Sequence, residues 1–350
     1  MTDVSSTWGQ MANRSPAVLF IDECLRGAGQ VIFQNNPLTG LFFLAAIWWG
    51  AAVAGQIEVA IGATIATMIA TATAIILKTD QTSLREGLFG FNGILLGAAV
   101  PTFLGNNWEM WLLLILGSAI VTVVFLAISN VMKTWGLSAM TFPFVLTTWF
   151  LMLSAYQFQN IHITTLTPPA FAHQGTFPEL KAAALDYLEA WFKGPAQVFL
   201  INNALSGVLV VIGLLINSWY AAIFALVGSG LAIITALIFG ADPHSIFNGL
   251  YGFSPVLTAV GLGCVFFRPS WRVTLYTLLG IVFTVFVQAA LDAGLAPLGI
   301  PTFTGPFNFA TWLFLLPKLN LRPQPNHSEI TGGIVSDHHE HPAPQPRPTI

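Results

Sequence analysis

Two glutamines, two asparagine pairs and two threonines recur in this chain at fixed spacing, and what such groups do is hydrogen bonding. Gln30-Val31-Ile32-Phe33-Gln34-Asn35-Asn36-Pro37-Leu38-Thr39-Gly40 returns as Gln197-Val198-Phe199-Leu200-Ile201-Asn202-Asn203-Ala204-Leu205-Ser206-Gly207, with six of eleven positions identical. Gly87-Leu88-Phe89-Gly90-Phe91-Asn92-Gly93-Ile94-Leu95 returns as Gly249-Leu250-Tyr251-Gly252-Phe253-Ser254-Pro255-Val256-Leu257. Thr141-Phe142-Pro143-Phe144, ending at Thr148-Trp149, returns as Thr304-Gly305-Pro306-Phe307, ending at Thr311-Trp312. The offsets are 167, 162 and 163 residues, so one unit has been duplicated. None of these segments holds a charged residue. Neutral amide and carbonyl acceptors suit a small solute rich in N–H donors, whereas a desolvated cation needs a dense carbonyl ring. No nucleophile–base pair or metal-ligand set accompanies them, so neither an enzymatic reaction nor a cofactor is expected.

The elements that must position these groups are apolar. Hydrophobic residues make up 55% of the chain and charged residues 8%, with a mean hydropathy of +0.73; soluble domains carry roughly a quarter charged residues. No Asp, Glu, Lys or Arg occurs in 59–77, 87–108, 110–132, 134–178, 194–241, 243–267, 273–291 or 293–317. A bilayer-crossing helix needs about 20 apolar residues, so the fold class is an all-α integral membrane protein in contact with membrane lipid. The net charge of −3 leaves no nucleic-acid footprint. The first fifteen residues lack a basic stretch leading into a cleavable apolar core, so no signal peptide is expected. Cys24 and Cys264 stand alone and read as small buried hydrophobes.

Runs and breakers predict five spans per half: near 38–54, 57–77, 87–104, 110–130 and 137–154, then near 205–217, 219–240, 247–266, 272–292 and 306–317. Each half opens with a further apolar segment, 16–36 and 190–204, that stops at Asn-Asn. If these dip into the membrane and return, Arg14, Lys78, Arg85, Lys133, Arg268, Arg272, Lys318, Arg322 and Arg347 share one side, leaving Lys181 and Lys193 opposite. The positive-inside rule then favours re-entrant half-helices and puts both termini in the cytoplasm of a cell-membrane protein. Five crossings is odd, so the halves are inverted about an axis in the membrane plane, ten transmembrane helices in all. The layout is a cytoplasmic arm (1–15), a first repeat (16–154), an extracytoplasmic loop (155–189), a second repeat (190–318) and a polar, disordered tail (319–350). The tail carries His327, His338, His339 and His341; a metal tract is conceivable there, a solvated tail the plainer reading.

A helix ending at mid-membrane leaves its last carbonyls without intrahelical partners, tolerated only where they line a cavity or meet protein. Gln30 to Asn36 and Gln197 to Asn203 fall at those ends. Phe91 and Phe253 match, as do Leu95 and Leu257 one turn on. A lone membrane Phe is ordinarily helix packing; recurrence in register beside a Gly-rich break argues for paired aromatic walls. Thr141 and Thr304 either line a passage or bond the backbone of their own Pro-kinked helices.

At these residues the chain closely resembles the urea transporter family, from about residue 18 to 318. The marks are the twice-occurring Gln-Val…Asn-Asn segment, Gly-Phe-Asn-Gly and Gly-Phe-Ser-Pro, and the closing Pro-Thr-Phe-Thr-Gly-Pro-Phe. The resemblance implies a homotrimer with a pore in every protomer and passive, channel-like urea transport through a filter of two carbonyl ladders. Carried over, Gln30, Val31 and Phe33 belong to the first half-helix and Gln197, Val198 and Leu200 to the second. Phe91, Leu95, Phe253 and Leu257 form the walls, and Thr141 and Thr304 line the middle. The family often has Glu at the position of Gln197 and an aromatic at that of Leu200, so one side of the filter is expected to be less acidic and less aromatic. Competing readings are a channel for ammonia, water or a short amide, a proton-coupled transporter, and a scaffold without a pore.

Overall fold

The computed structural model describes residues 7–172, 175–177, 182–319 and 321. The histidines of the expected tail, like His173 and Glu179 of the loop, lie outside the described residues.

Among the described residues, the duplication extends to every α-helix after the first. A short helix α1 (Thr7–Arg14) precedes α2 (Pro16–Gln30), α3 (Pro37–Ala54), α4 (Ile57–Ile76), α5 (Gln81–Arg85), α6 (Phe91–Phe103), α7 (Trp108–Lys133) and α8 (Phe142–Ala155). The same series follows as α9 (Ala184–Gln197), α10 (Ala204–Asn217), α11 (Trp219–Ile238), α12 (Pro243–Phe247), α13 (Phe253–Val260), α14 (Trp271–Leu295) and α15 (Gly305–Leu315). Where α6 runs on as α-helix, α13 passes into a π-helical turn, Gly261–Val265.

Local chemistry explains the shared boundaries. Asn36 caps α3 by accepting from the Leu38 and Thr39 amides at 2.9 and 3.2 Å, and Asn203 caps α10 by accepting from Ser206 at 2.9 Å. Asp80 and Asp242 cap α5 and α12 through Ser83 and Ser245. α9 begins earlier than the segment expected from 190, because Asp186 accepts from the Ala183 amide at 2.7 Å and fixes a start at Ala184.

Among the described residues, five helices are long and apolar enough to cross a membrane: Pro37–Ala54, Ile57–Ile76, Trp108–Lys133, Trp219–Ile238 and Trp271–Leu298. α7 carries Leu112, Ile115, Leu116, Ile120 and Val123 exposed along one face, an apolar stripe that suits lipid. Phe91–Phe103, Phe142–Ala155, Ala204–Asn217 and Phe253–Val265 are apolar but shorter. The spans expected near 87–104 and 247–266 do not start at 87 and 247. Gly87 and Gly249 take φ of 75° and 74°, a left-handed turn that ends α5 and α12 and delays the next helix to Phe91 and Phe253.

The halves meet where α3 packs on α10. Thr39 Oγ1 donates to the Gly213 carbonyl at 2.8 Å, and Ser206 Oγ donates to the Ala46 carbonyl at 2.8 Å. Ser206 is Thr39 advanced by 167 residues, and Gly213 is Ala46 advanced by the same number. Each half therefore gives the other the contact it receives, as a two-fold relation requires.

Candidate functional site

The opening helices α2 and α9 end at Gln30 and Gln197, and both chains turn back in the same way. The Ile32 and Gln34 amides donate to the Gly29 carbonyl and the Phe33 amide to that of Gln30. Phe199 and Ile201 donate to Ala196, and Leu200 to Gln197. The turn closes on a left-handed residue that is not glycine, Phe33 at φ 59° and Leu200 at φ 60°. The expected rows of unpartnered carbonyls are correspondingly shorter: those of Gly29 and Gln30 close the turn, and that of Ile32 accepts from Gln34 Nε2 at 2.7 Å. A carbonyl has two lone pairs, so those of Gln30 and Ile32 each keep one acceptor site, while that of Gly29 already takes two donors.

Glycine brings the second motif against these helices. A Cβ on Gly27 would lie 2.9 Å from Gly90 Cα, and one on Gly252 would lie 2.9 Å from Gly194 Cα. That approach lets Gln30 Nε2 donate to the Glu86 carbonyl at 2.9 Å and Gln197 Nε2 to the Asn248 carbonyl at 2.7 Å. Gln30 Oε1 stays buried without a hydrogen-bond partner. A cavity of about 20 Å³ gathers Gln30, Val31, Phe33, Phe91 and Thr141, together with Leu88, Phe125, Ser138 and Met140. That volume holds about one water.

Thr141 and Thr304, each 3% exposed, meet: their hydroxyls are 2.7 Å apart. Asn308 Nδ2 donates to Thr141 Oγ1 at 3.0 Å and to the Thr304 carbonyl at 2.8 Å. Of the two roles open to these threonines, the hydroxyls do not bond their own helix backbone; they face each other across the two halves, with Thr141 in the cavity lining. Leu95 and Leu257 are fully buried, Val31 and Val198 nearly so, and Phe91 and Phe253 are buried at 6% and 8% exposure. Gln197 and Leu200 are half-buried.

The aromatic deficit expected at Leu200 is offset from a different element. Phe33 lies edge-on to Phe266 and Phe307, with centroids 5.7 and 6.0 Å away. At an offset of 163 those two rings answer to Phe103 and Phe144. Phe103 and Phe144 are met by Phe303, at 5.8 and 5.2 Å. Phe303 matches Met140, which lines the cavity, so a bulky residue has changed places between adjacent strands of chain: Phe33 with Met140 in one half, Leu200 with Phe303 in the other. Both Met140 and Phe303 take a left-handed φ of 48°.

Charges also repeat, one turn ahead of the motifs. Arg26 Nε pairs with Asp22 at 2.6 Å, while Trp8 Nε1 of α1 donates to Asp22 at 2.7 Å and Arg26 Nη1 to Asn35 Oδ1 at 2.7 Å. Their counterparts Lys193 and Glu189 pair at 3.4 Å. Carrying the 167-residue offset past Gln30 to the earlier positions exposes this match, which the uncharged motifs conceal. Cys24 and Cys264 form no disulfide and are half-buried rather than fully buried.

A duplicated chain, helical throughout its described regular elements, with apolar crossing helices and a neutral, hydrogen-bonding junction between its halves, defines a multi-pass membrane protein. The urea transporter family profile matches residues 21–319, and the chain belongs to that family. It is 29% identical over 310 residues to urea transporter 1 of Ovis aries, covering 87% of this chain and 79% of the relative. It is 28% identical over 310 residues to urea transporter 1 of Capra hircus, with the same coverage. Against urea transporter 1 of Rattus norvegicus the identity is 29% over 314 residues, 86% of this chain and 78% of the relative. The family is one of transporters rather than enzymes.

Proposed function

We propose that this protein conducts urea passively through a pore between its halves, with the Thr141–Thr304 pair at the constriction. The observation that carries the reading is the pair itself: two matched hydroxyls 2.7 Å apart, beside a cavity lined by Gln30, whose Oε1 is buried and unpartnered. The relatives' names supply the solute.

In this reading α2 and α9 are re-entrant half-helices, and ten helices cross in two inverted sets. The arm, the tail and the basic residues other than Lys181 and Lys193 lie in the cytoplasm, and three copies assemble in a cell membrane with one pore each. Urea is planar and neutral, with four N–H donors and one acceptor, and stripping its water without replacement costs several kcal/mol per unpaired group. Gln30 Oε1 and the second lone pairs beyond Gln30 and Gln197 accept its N–H groups, while Phe33, Phe91 and Phe253 cover its faces. The threonine hydroxyls rotate to give or take a hydrogen bond as the solute passes. Leu95, Leu257, Val31 and Val198 keep the middle dry, and ions fail for want of counter-charge. The present cavity is smaller than urea, so passage requires the threonine pair to part.

Urea uptake into proteoliposomes, with and without a pH gradient, tests this beside Thr304→Val. Native uptake should be fast and indifferent to the gradient. The variant should be about tenfold slower, the effect of one hydrogen bond lost at the barrier, about 1.4 kcal/mol. Native uptake no faster than empty liposomes would sink the assignment; flux that follows the gradient would replace it with a proton-coupled carrier, and equal flux of unrelated neutral solutes with a general small-solute channel.

A further inference from the structure

α14 copies α7 at an offset of 163: both begin on a tryptophan, Trp108 and Trp271, after a side-chain cap from Asn107 or Ser270. At that offset Phe125 corresponds to Gln288, and Ser129 to Asp292. Phe125 lines the cavity with Gln30, Phe33 and Thr141 and stands edge-on to Phe89 and Phe91, each 5.6 Å away. The second half therefore puts an amide where the first puts an aromatic wall.

Gln288 is 3% exposed. Its Nε2 donates to both oxygens of Asp292, at 3.0 and 3.1 Å, and to Thr302 Oγ1 at 2.9 Å. Turned over, the amide would set Oε1 against two carboxylate oxygens, so the orientation is fixed by chemistry. Oε1 is then left buried with no hydrogen-bond partner. Leaving a buried acceptor unmet costs about 1–3 kcal/mol, and Phe125 shows that an apolar side chain serves at this position. Thr302 precedes Phe303 and Thr304, so the acceptor stands beside the segment that carries the second threonine and the offsetting ring.

We propose that Gln288 Oε1 is a solute-binding acceptor for an N–H group of an amide-type molecule, forming a subsite on the second-half side that has no counterpart in the first. The inference rests on the conduction reading above. It makes the two approaches to the threonine pair chemically different: a planar solute is stacked on the Phe125 side and hydrogen-bonded on the Gln288 side.

The experiment is urea uptake by reconstituted full-length protein at graded urea concentrations, comparing native, Gln288→Met and Gln288→Phe, with melting in detergent as a check on folding. Methionine keeps the volume and removes the acceptor; phenylalanine restores the first-half residue. Both should raise the half-saturating urea concentration about tenfold, the equivalent of one hydrogen bond, while the melting temperature falls modestly because Asp292 and Thr302 lose the Nε2 donor. Native half-saturation in either folded variant would overturn the proposal and leave Gln288 a packing amide. Absent native uptake fails the conduction reading and this subsite with it, whereas native uptake with unshifted variants fails the subsite alone.

Discussion

Asp22 with Arg26, and Glu189 with Lys193, are the same ion pair at the same two positions of α2 and α9, one at 2.6 Å and the other at 3.4 Å. Around Asp22 the chain has closed in: Trp8 and Asn35 complete the hydrogen bonds, and Asp22 and Arg26 are 3% and 8% exposed. Glu189 keeps 45% of its side chain open, and Lys193 turns to the Phe247 carbonyl at 3.2 Å. Duplication has preserved the pairing, and burial alone sets what each copy contributes. A buried pair that loses one member strands the other charge, while an exposed pair loses little.

The sharpest way to break that comparison is to neutralise both acids in turn. Asp22→Asn should cost about 3–5 kcal/mol and Glu189→Gln no more than about 1 kcal/mol, read by denaturation in detergent. Equal costs would mean that the surroundings of Asp22 do not matter. The glycine contacts offer a second contrast. A methyl on Gly27 meets the backbone of Gly90, which cannot move aside, so Gly27→Ala should cost about 3 kcal/mol by overpacking. A methyl on Gly194 first meets Ser229 Oγ, a side chain that can rotate at the loss of its bond to the Trp191 carbonyl, so Gly194→Ala should cost about 1 kcal/mol. Smallest is the aromatic exchange. Phe33→Leu and Phe303→Leu should each lose about 1 kcal/mol of ring contacts and slow urea uptake by similar factors. If Phe303→Leu left both stability and flux untouched, the second ring set would not be the equal of the first.

Much of this was legible in the residues. The offsets of the three motifs forecast the order of α9 to α15 from that of α2 to α8, because capping residues and breakers were copied with them. The ends of the opening helices at Gln30 and Gln197 were legible for the same reason. The starts of α6 and α13 were not: apolar content runs unbroken through Gly87 and Gly249, and hydropathy does not register a left-handed turn. Nor was the offsetting of Leu200 by Phe303 visible. Matching by offset compares position 33 with 200 and 140 with 303, and bulk traded between two such pairs looks like two unrelated changes. Composition left the threonine roles open, since a hydroxyl serves its own helix or a neighbour equally well; only the fold brings Thr141 within 2.7 Å of Thr304. Gln288 escaped because a single amide on an apolar helix draws no notice until Phe125 is set beside it.

The exchanged Thr39 and Ser206 bonds make the α3–α10 seam self-complementary, and that bears on ancestry. A half-length chain with a hydroxyl at the position of Thr39 and a carbonyl at that of Ala46 holds both members of the bond. Two identical copies related by a two-fold axis close the same seam without a second gene. Fusing them adds only a connecting loop and frees each copy to drift, as Phe125 and Gln288 have drifted. Two separately expressed halves of this protein are accordingly expected to find each other in a membrane, the present chain being a dimer that has been tied together.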